Sequence, residues 1–395
     1  MSIFQGDISD DVFGFLTGKA GDAALRRLEA ICADPSAQLA EALGEGKKVV
    51  GVMPYFCPEE LVYAAGMLPF GLWGAELQAN ESKRYFPAFF CSILHTTLEL
   101  GLRGKLDGLS AILVPASCDA LKSMAANWRY GVGEKVPVIE VSYAQNRRTD
   151  IGAEYTRAQF RKVLSALEKI AGHEITDDDI RAAVDVYDEN RAVLRAFSAA
   201  AAKHPDCITP AQRSAAIKAG FFMDRAAHTV LLQHLTVSLN TMPAQPWDGL
   251  RVVTTGILAD SPALLKIFEE NRIAIVDDQV AQESVLFRWD TPDREDPVEA
   301  LALYFCVTDG CSVLYDPEKL RGKELVELAQ EAKADGVIWL MSKFCDPEEF
   351  DYVPVKRMLD EAGIPLLSVE VDQQMVNYEQ ARSAIEAFAE LLRNR

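Results

Sequence analysis

Eight cysteines are the residues of this sequence with the most distinctive chemistry. None belongs to a Cys-x-x-Cys pair, and most lie far apart: Cys32, Cys57, Cys91, Cys118, Cys207, Cys306, Cys311 and Cys345. They are too sparse for a disulfide scaffold in a chain of 395 residues. The first residues resemble no export signal and no apolar run is long enough to cross a membrane, so we expect a cytoplasmic protein with reduced thiols or metal-bound cysteines.

Three of these cysteines are candidates for metal binding. Cys118 and Cys345 each precede an aspartate at the corner between an apolar strand and a helix, where a hydrophobic plug would be poorly placed. Cys91 lies ahead of a helix whose N-terminal dipole is expected to lower the pKa of the thiol and stabilise an anionic group. Several thiolates at a cleft bind iron well because sulfur is a soft ligand. For any single cysteine, the alternative is that it packs in the core as a small apolar side chain.

Other common catalytic motifs are missing from the sequence. It has no Gly-x-Gly-x-x-Gly fingerprint, and residues 44–48 lack the spacing and the Ser/Thr of a phosphate-binding loop. His173-Glu174 has no second histidine four residues on, and there is no Gly-x-Ser-x-Gly. We therefore expect neither ATP hydrolysis by this chain itself nor zinc-protease or serine-hydrolase chemistry.

The composition is that of an ordinary globular protein with an acidic surface. Hydrophobic residues make up 49% and charged residues 25%, and the formal net charge is −19. This charge, without a stripe rich in Lys and Arg, would repel nucleic acids and anionic membranes, so we expect neither as a partner. A small anionic ligand could still bind through local cations and helix N-termini.

Two series of short apolar runs alternate with helix-length segments. This pattern predicts an α/β fold with two doubly wound parallel-sheet lobes of the Rossmann or flavodoxin-like type, joined by a helical layer. The strands are expected at residues 49–53, 68–73, 111–114 and 136–141, and at 251–255, 273–276, 337–341 and 365–369. Residues 150–240 have helical periodicity, with N-cap candidates at Thr176 and Thr209 and with Pro210 at a first helical position.

These elements divide the chain into four predicted parts. They are a helical N-terminal arm at 1–46, a first α/β lobe at 47–149, a helical linking domain at 150–245, and a second α/β lobe at 246–395 whose last helix covers about 375–392.

The two strand series contain a repeat that bears on function. Segment 107–119 parallels segment 335–346, since each runs from Asp-Gly through an apolar strand to Cys-Asp, with Cys118 and Cys345 in matching places. Ligands bind beyond the carboxyl ends of the strands in a doubly wound sheet. If the two lobes face each other across the helical layer, the two thiols converge in one cleft.

Several segments resemble the 2-hydroxyacyl-CoA dehydratase and benzoyl-CoA reductase superfamily. They are residues 53–69, which begin Met-Pro-Tyr-Phe-Cys-Pro-Glu-Glu, and residues 87–93, 118–119, 127–128, 144–147, 256–261 and 343–349. Their order and spacing run from about residue 47 to the C-terminus. Within the superfamily, the likeness is closest to the β subunit of 2-hydroxyisocaproyl-CoA dehydratase.

The resemblance implies a subunit of an (R)-2-hydroxyacyl-CoA dehydratase, a hydro-lyase that forms a 2-enoyl-CoA. It implies one [4Fe-4S] cluster held by Cys91, Cys118 and Cys345 with a non-protein fourth ligand. It also implies a paralogous α-like dehydratase subunit as partner, an acyl-CoA substrate and a separate ATP-dependent iron-sulfur activator protein. In such systems the activator injects one electron, and the thioester becomes a ketyl radical that can lose hydroxide. A β-like chain would relay the electron, and no catalytic base is assigned to it.

Two other functions remain open on the sequence alone. One is a benzoyl-CoA reductase-type subunit that acts on an aromatic thioester, and the other is a homodimeric cluster-bearing scaffold or binding protein. The acyl chain is open as well, with lactoyl, phenyllactyl, 2-hydroxyglutaryl and 2-hydroxyisocaproyl thioesters as candidates.

Other cysteines and two acids have a functional and a structural interpretation. Cys57, Cys306 or Cys311 could supply a fourth cluster ligand, but we expect these three to be buried packing residues. Glu59 and Glu60 could act as acids, but we expect them to complement the dipole in the first turn of a helix.

The tryptophans and the last loop are similarly ambiguous. Four tryptophans could line an acyl pocket or fill cores: Trp73, Trp128, Trp289 and Trp339. Residues 372–374 follow the final strand at its carboxyl end, so we expect them to line a cleft or to face another subunit.

Overall fold

Two four-stranded sheets form the centre of this computed structural model, which describes residues 19–53, 56–243 and 245–395. The first sheet has the order β2-β1-β3-β4, with strands β1 Val49–Val52, β2 Leu68–Gly71, β3 Ala111–Pro115 and β4 Val138–Val141. The second has the order β6-β5-β7-β8, with strands β5 Leu250–Gly256, β6 Ile273–Val280, β7 Gly336–Ser342 and β8 Leu366–Val371. Every strand pair is parallel, so the predicted pair of parallel sheets is confirmed.

Helices cover both faces of each sheet and fill the space between the lobes. Those of the first part are α1 Lys19–Ala33, α2 Pro35–Gly44, α3 Glu59–Ala64, α4 Ser92–Leu102 and α5 Asp119–Gly131. Those of the central layer are α6 Asp150–Ala171, α7 Asp177–Ala201, α8 Pro210–Lys218 and α9 Arg225–Thr241. Those of the last part are α10 Pro262–Glu270, α11 Pro297–Val307, α12 Leu320–Glu331, α13 Asp346–Glu361 and α14 Glu379–Arg393.

The helix starts in the central layer follow the predicted capping chemistry. The hydroxyl of Thr176 accepts from the backbone N–H of Asp179, and the Asp179 carboxylate accepts from the backbone N–H of Thr176. Thr209 forms the same reciprocal box with Gln212, and Pro210 occupies the first turn of α8. These boxes satisfy backbone donors that a helix start would otherwise leave without partners.

The first described helix is part of the core. Leu28 and Ile31 of α1 are buried in one apolar cluster with Leu232 and Leu235 of α9. Residues 1–18 of the predicted N-terminal arm lie outside the described residues. The predicted boundaries of the arm, lobes and linking domain stay predictions.

Helix α11 packs away from the sheet that its chain segment belongs to. Although it lies between β6 and β7 in sequence, its residues Val298 and Leu301 are buried with Val50 and Leu113 of the first sheet and Phe160 of α6. The chain between β6 and β7 therefore reaches across to the first lobe, which joins the two lobes in addition to the central layer.

The last helix begins later than the sequence pattern predicts. It starts at Glu379, not near residue 375, and Asn377 accepts from the backbone N–H of Glu379 at 2.8 Å. Residues 372–375, which precede this last connection to the helix, form a turn in which the Asp372 carbonyl accepts from the Met375 N–H at 3.0 Å. This turn contacts the first lobe, and that long-range contact has no local signal in the sequence.

Candidate metal centre

Cys91, Cys118 and Cys345 each occupy the position immediately before a helix. They are the N-cap residues of α4, α5 and α13. Cys118 and Cys345 stand three residues beyond the last residue of equivalent strands, Pro115 of β3 and Ser342 of β7. The repeated sequence motif therefore gives the same strand-cysteine-helix corner in each lobe.

The three cysteines line one cavity of about 490 Å³ between the lobes. Besides the corners themselves, its wall includes Ser312, Tyr315 and other residues of the 312–319 segment, which follows α11. The cavity thus brings together Cys91 and Cys345, which are 254 positions apart in the sequence. Sequence reasoning did not identify the 312–319 wall, because nothing in its composition distinguishes it from an ordinary loop.

Helix N-termini contribute more to the positive potential at these thiols than cationic side chains do, although Lys122 also lowers the pKa of Cys118. Lys122 and Lys319 line the same cavity, but Lys122 is paired with Asp119 at 3.0 Å and Lys319 with Asp351 at 2.6 Å. The Leu121 backbone N–H points at Cys118 Sγ at 3.5 Å. Three helix starts around one cavity favour a negatively charged group there.

The thiols are protonated when no metal compensates their burial. The pKa of Cys91 is raised to about 12, chiefly by burial and also by the neighbouring Cys118, although the N–H groups of Leu94 and Ile93 lower it. The N–H groups of the helix start lower the pKa of Cys91 as predicted, but desolvation outweighs them in this buried position and the net shift is upward. Burial also raises the pKa of Cys118 and of Cys345. Cys118 raises the pKa of Cys91, and Cys91 raises the pKa of Cys345, because these thiols lie close together.

Together these residues fit an anionic metal cluster better than a single hard cation. The donor set is three soft thiols in a cavity that also has apolar walls, including Phe90 and Leu94. Thiolate ligation is characteristic of iron-sulfur clusters and zinc, and the converging helix N-termini suit a group with net negative charge.

The other three cysteines that could add a ligand lie outside the lining of this cavity. Cys57, which we expected to be buried, is only partly buried and lines a separate cavity of about 90 Å³. Cys306 and Cys311 are buried, with 7% and 4% of their surface exposed. Cys311 is near enough to raise the pKa of Cys345, and the next residue, Ser312, does line the cysteine cavity.

Glu59 and Glu60 stand in the first turn of α3, as expected, and also bind arginines of the central layer. Glu60 is 4% exposed and accepts from Arg191 of α7. Glu59 accepts from Arg225 of α9 at 2.6 Å and from the Tyr187 hydroxyl at 3.2 Å. The pair anchors the first lobe to the central layer, which the sequence could not show because the partners are more than a hundred residues away.

None of the four tryptophans lines the cysteine cavity, whose lining lies wholly within the described residues. Trp128 and Trp339 are fully buried, and their indole N–H groups donate to the Val136 carbonyl and to the Glu348 carboxylate. Trp289 is 38% exposed, whereas Trp73 lines a different interlobe cavity of about 370 Å³.

Residues 372–374 connect the second lobe to the first. The Gln373 side chain donates to the Trp73 carbonyl at 2.7 Å and accepts from the Thr96 hydroxyl at 2.9 Å. Gln374 accepts from the Ala79 backbone N–H at 3.1 Å. Asp372 and Gln373 also line the 370 Å³ cavity, so the segment both closes a cleft and sets the distance between the lobes.

Aromatic side chains are exposed beside the cysteines. Phe89 is 65% exposed, Phe350 is 80% exposed and Phe344 is 41% exposed, and all three line the cysteine cavity. Phe344 precedes Cys345 and has a left-handed backbone, with φ of 61°. Such a conformation is costly for a bulky residue, and strain of this kind is concentrated at functional sites.

No helix in the described parts of the chain combines the length and apolarity that a membrane crossing requires.

Comparison with known proteins finds relatives that span most of the chain. The family model for 2-hydroxyglutaryl-CoA dehydratase, D-component, matches residues 54–392. The chain is 48% identical over 347 residues to the (R)-phenyllactyl-CoA dehydratase beta subunit of Clostridium sporogenes, covering 88% of this chain and 92% of that protein. It is 40% identical over 375 residues to the beta subunit of (R)-2-hydroxyglutaryl-CoA dehydratase of Acidaminococcus fermentans, covering 94% and 99%. It is 28% identical over 354 residues to a benzoyl-CoA reductase subunit of Thauera aromatica, covering 88% and 91%.

Proposed function

Because this chain belongs to the family of the 2-hydroxyglutaryl-CoA dehydratase D-component, we propose that it is the β-type iron-sulfur subunit of an (R)-2-hydroxyacyl-CoA dehydratase. The complex would remove water from the thioester of a 2-hydroxy acid and release a 2-enoyl-CoA. The observation that carries this proposal is the meeting of Cys91, Cys118 and Cys345 in one cavity at three helix N-termini.

Those three thiols are the proposed ligands of a [4Fe-4S] cluster, with a fourth ligand that is not a protein residue. When bound, the cluster supplies one-electron redox chemistry. The chain's own contribution is to hold three ligands on rigid helix starts and to favour negative charge with their dipoles. Because burial raises the pKa of all three thiols, ligation has to release their protons, so cluster assembly should be favoured by raising the pH.

The exposed phenylalanines that line the cysteine cavity, Phe89, Phe344 and Phe350, form an aromatic rim that suits a partner subunit. Large apolar side chains such as Phe89 and Phe350 rarely stay in water beside a functional cavity, and aromatic residues are enriched at the centres of protein interfaces. We propose that this rim is covered by a paralogous α-like subunit, which also binds the acyl-CoA. A separate ATP-dependent iron-sulfur activator would deliver the electron, since no phosphate-binding loop occurs in this sequence.

The relatives favour dehydration over ring reduction. Three dehydratase beta subunits are 38% to 48% identical to this chain, whereas the benzoyl-CoA reductase subunit is 28% identical. The dehydratase relatives are beta subunits, which supports the proposal that this chain relays an electron and walls the site. No residue of this chain is proposed as a catalytic base.

The test is anaerobic reconstitution of activity. The chain is co-produced with a paralogous α-like protein and mixed with an activator, ATP and a reductant. Lactoyl, phenyllactyl, 2-hydroxyglutaryl, 2-hydroxyisocaproyl and benzoyl thioesters are then offered, and products are identified by mass spectrometry. We expect a 2-enoyl-CoA from at least one 2-hydroxyacyl-CoA.

The matched variants are Cys118→Ser and Cys32→Ser. Cys32 is a half-buried thiol that donates to the Ala215 carbonyl at 3.1 Å, a bond that a serine hydroxyl can also make. Activity should be lost in Cys118→Ser and kept in Cys32→Ser. Reduction of benzoyl-CoA without any dehydration would contradict the proposal, as would full dehydratase activity in Cys118→Ser.

A further inference from the structure

The loop between α7 and α8 brings together three metal-ligating side chains, none of which lines the cysteine cavity. A ring nitrogen of His204, a carboxylate oxygen of Asp206 and Sγ of Cys207 all lie within 4.8 Å of one another. The thioether of Met242, just after α9, is 3.9 Å from Cys207 Sγ. We propose that this cluster is a second metal site, which binds one Zn²⁺.

The donor atoms suit zinc in type and in spacing. Imidazole nitrogen, thiolate sulfur and carboxylate oxygen are its usual protein ligands, with bonds of about 2.0–2.3 Å. Two such ligands at a tetrahedral angle lie roughly 3.6 Å apart. The Sγ of Cys207 and Oδ2 of Asp206 are 3.5 Å apart, so this pair already has the required separation. The others are at most 4.8 Å apart and can close by side-chain rotation.

His204 gives an independent reason to expect a ligand. Its side chain is buried, with 3% of the residue exposed, and Nδ1 has no hydrogen-bond partner among the residues that the structure describes. A buried polar atom without a partner costs about 1–3 kcal/mol. By contrast, Asp206 and Cys207 are exposed, which leaves an entry path for an ion from solvent.

The backbone holds the cluster in place. The carbonyl of His204 accepts from the N–H groups of Cys207 at 2.9 Å and of Ile208 at 3.1 Å, so the loop turns back on itself at the ligands. An ion bound here would hold the buried His204 and the exposed Asp206 and Cys207 together and so fix the loop after α7. Because the fold holds the buried His204 ring beside the other two ligands, Zn²⁺ should bind the folded chain more tightly than the unfolded chain and so stabilise the fold by mass action.

The test measures the rate at which Cys207 alone is alkylated, so zinc that binds other thiols does not affect the result. The full-length chain is prepared anaerobically, treated with iodoacetamide with and without equimolar Zn²⁺, and digested for peptide mapping. Zinc should slow alkylation of Cys207 by about tenfold or more, since a coordinated thiolate is blocked. It should also raise the apparent melting temperature.

Three variants separate a built site from simple thiol binding. Protection of Cys207 should disappear in His204→Gln and weaken in Asp206→Asn, whereas His173→Gln, which changes an exposed histidine in the preceding interhelical turn, should behave as wild type. Asp206 is exposed, so its variant keeps the test valid if His204→Gln fails to fold. Alkylation that zinc does not slow, or that it slows equally in both ligand variants, would overturn the proposal. Neither result bears on the cysteine cavity or on dehydration.

Discussion

The buried histidine of the central layer should make this fold sensitive to acid. His228 of α9 is fully buried, its Nε2 donates to the Ala216 carbonyl at 2.8 Å, and Nδ1 accepts from the Asn190 amide at 3.0 Å. Burial lowers its pKa to about 3 from an ordinary value of 6.5, and the nearby Arg225 lowers it as well. The ring is therefore neutral in the folded chain at every pH at which the protein is handled.

The size of the effect follows from these two pKa values. Between pH 6.5 and about 3 the unfolded chain binds a proton at this ring and the folded chain does not. The contribution of His228 to the free energy of unfolding is therefore present in full above pH 6.5. It is lost as the pH falls below that value, by about 1.4 kcal/mol per pH unit. From neutral pH to about pH 4.5 the loss is about 2.7 kcal/mol.

The assay compares wild type with His228→Gln by urea unfolding at several pH values from about 7.5 to 4.5. Glutamine cannot titrate, although it can keep one polar contact, so the variant should be less stable at neutral pH but should lose less stability on acidification. Its disadvantage relative to wild type should shrink by about 2.7 kcal/mol over this range. His173→Gln should follow wild type throughout. Parallel stability curves for wild type and His228→Gln would show that His228 does not make the fold sensitive to acid.

Three further changes test contacts between the lobes and the central layer, between the two lobes, and within the core of the first lobe. Arg191→Met leaves Glu60 buried without its partner and should lower the free energy of unfolding by about 3–5 kcal/mol. Adding Glu60→Gln to the same chain should restore part of this loss. The midpoints of urea unfolding measure both effects. Gln373→Ala removes the contacts between the lobes and should cost about 1–3 kcal/mol by the same measurement, with a cost near zero contradicting its role. Trp128→Ala empties a fully buried site and should cost about 3–5 kcal/mol, seen as a large fall in melting temperature.

The sheets could be predicted because strands buried on both faces give unbroken apolar runs. Strands β1 and β3 are buried at every position, and their sequences, Val-Val-Gly-Val and Ala-Ile-Leu-Val-Pro, contain no alternation. The helix starts at Thr176 and Thr209 were predictable for a local reason as well, since a capping box lies within four residues. The corners that hold Cys118 and Cys345 follow directly from these strands.

What the sequence could not show depends on contacts between distant segments. The position of α11 on the first sheet, the 312–319 wall of the cysteine cavity and the ion pair between Glu60 and Arg191 all join residues far apart in the chain. The upward net shift in the pKa of Cys91 has the same kind of origin. A helix start is visible in the sequence, but the depth of burial that outweighs its dipole is a property of the folded molecule.

The most direct test of the proposed cluster is to purify the chain anaerobically and to measure its iron and acid-labile sulfide content. An EPR spectrum is then recorded after dithionite reduction. Wild type and Cys32→Ser should each hold about four iron ions per chain, and Cys118→Ser should lose most of the iron and the reduced-cluster signal. Wild type without iron after anaerobic reconstitution, or Cys118→Ser with a full complement, would contradict the claim that Cys91, Cys118 and Cys345 hold a [4Fe-4S] cluster.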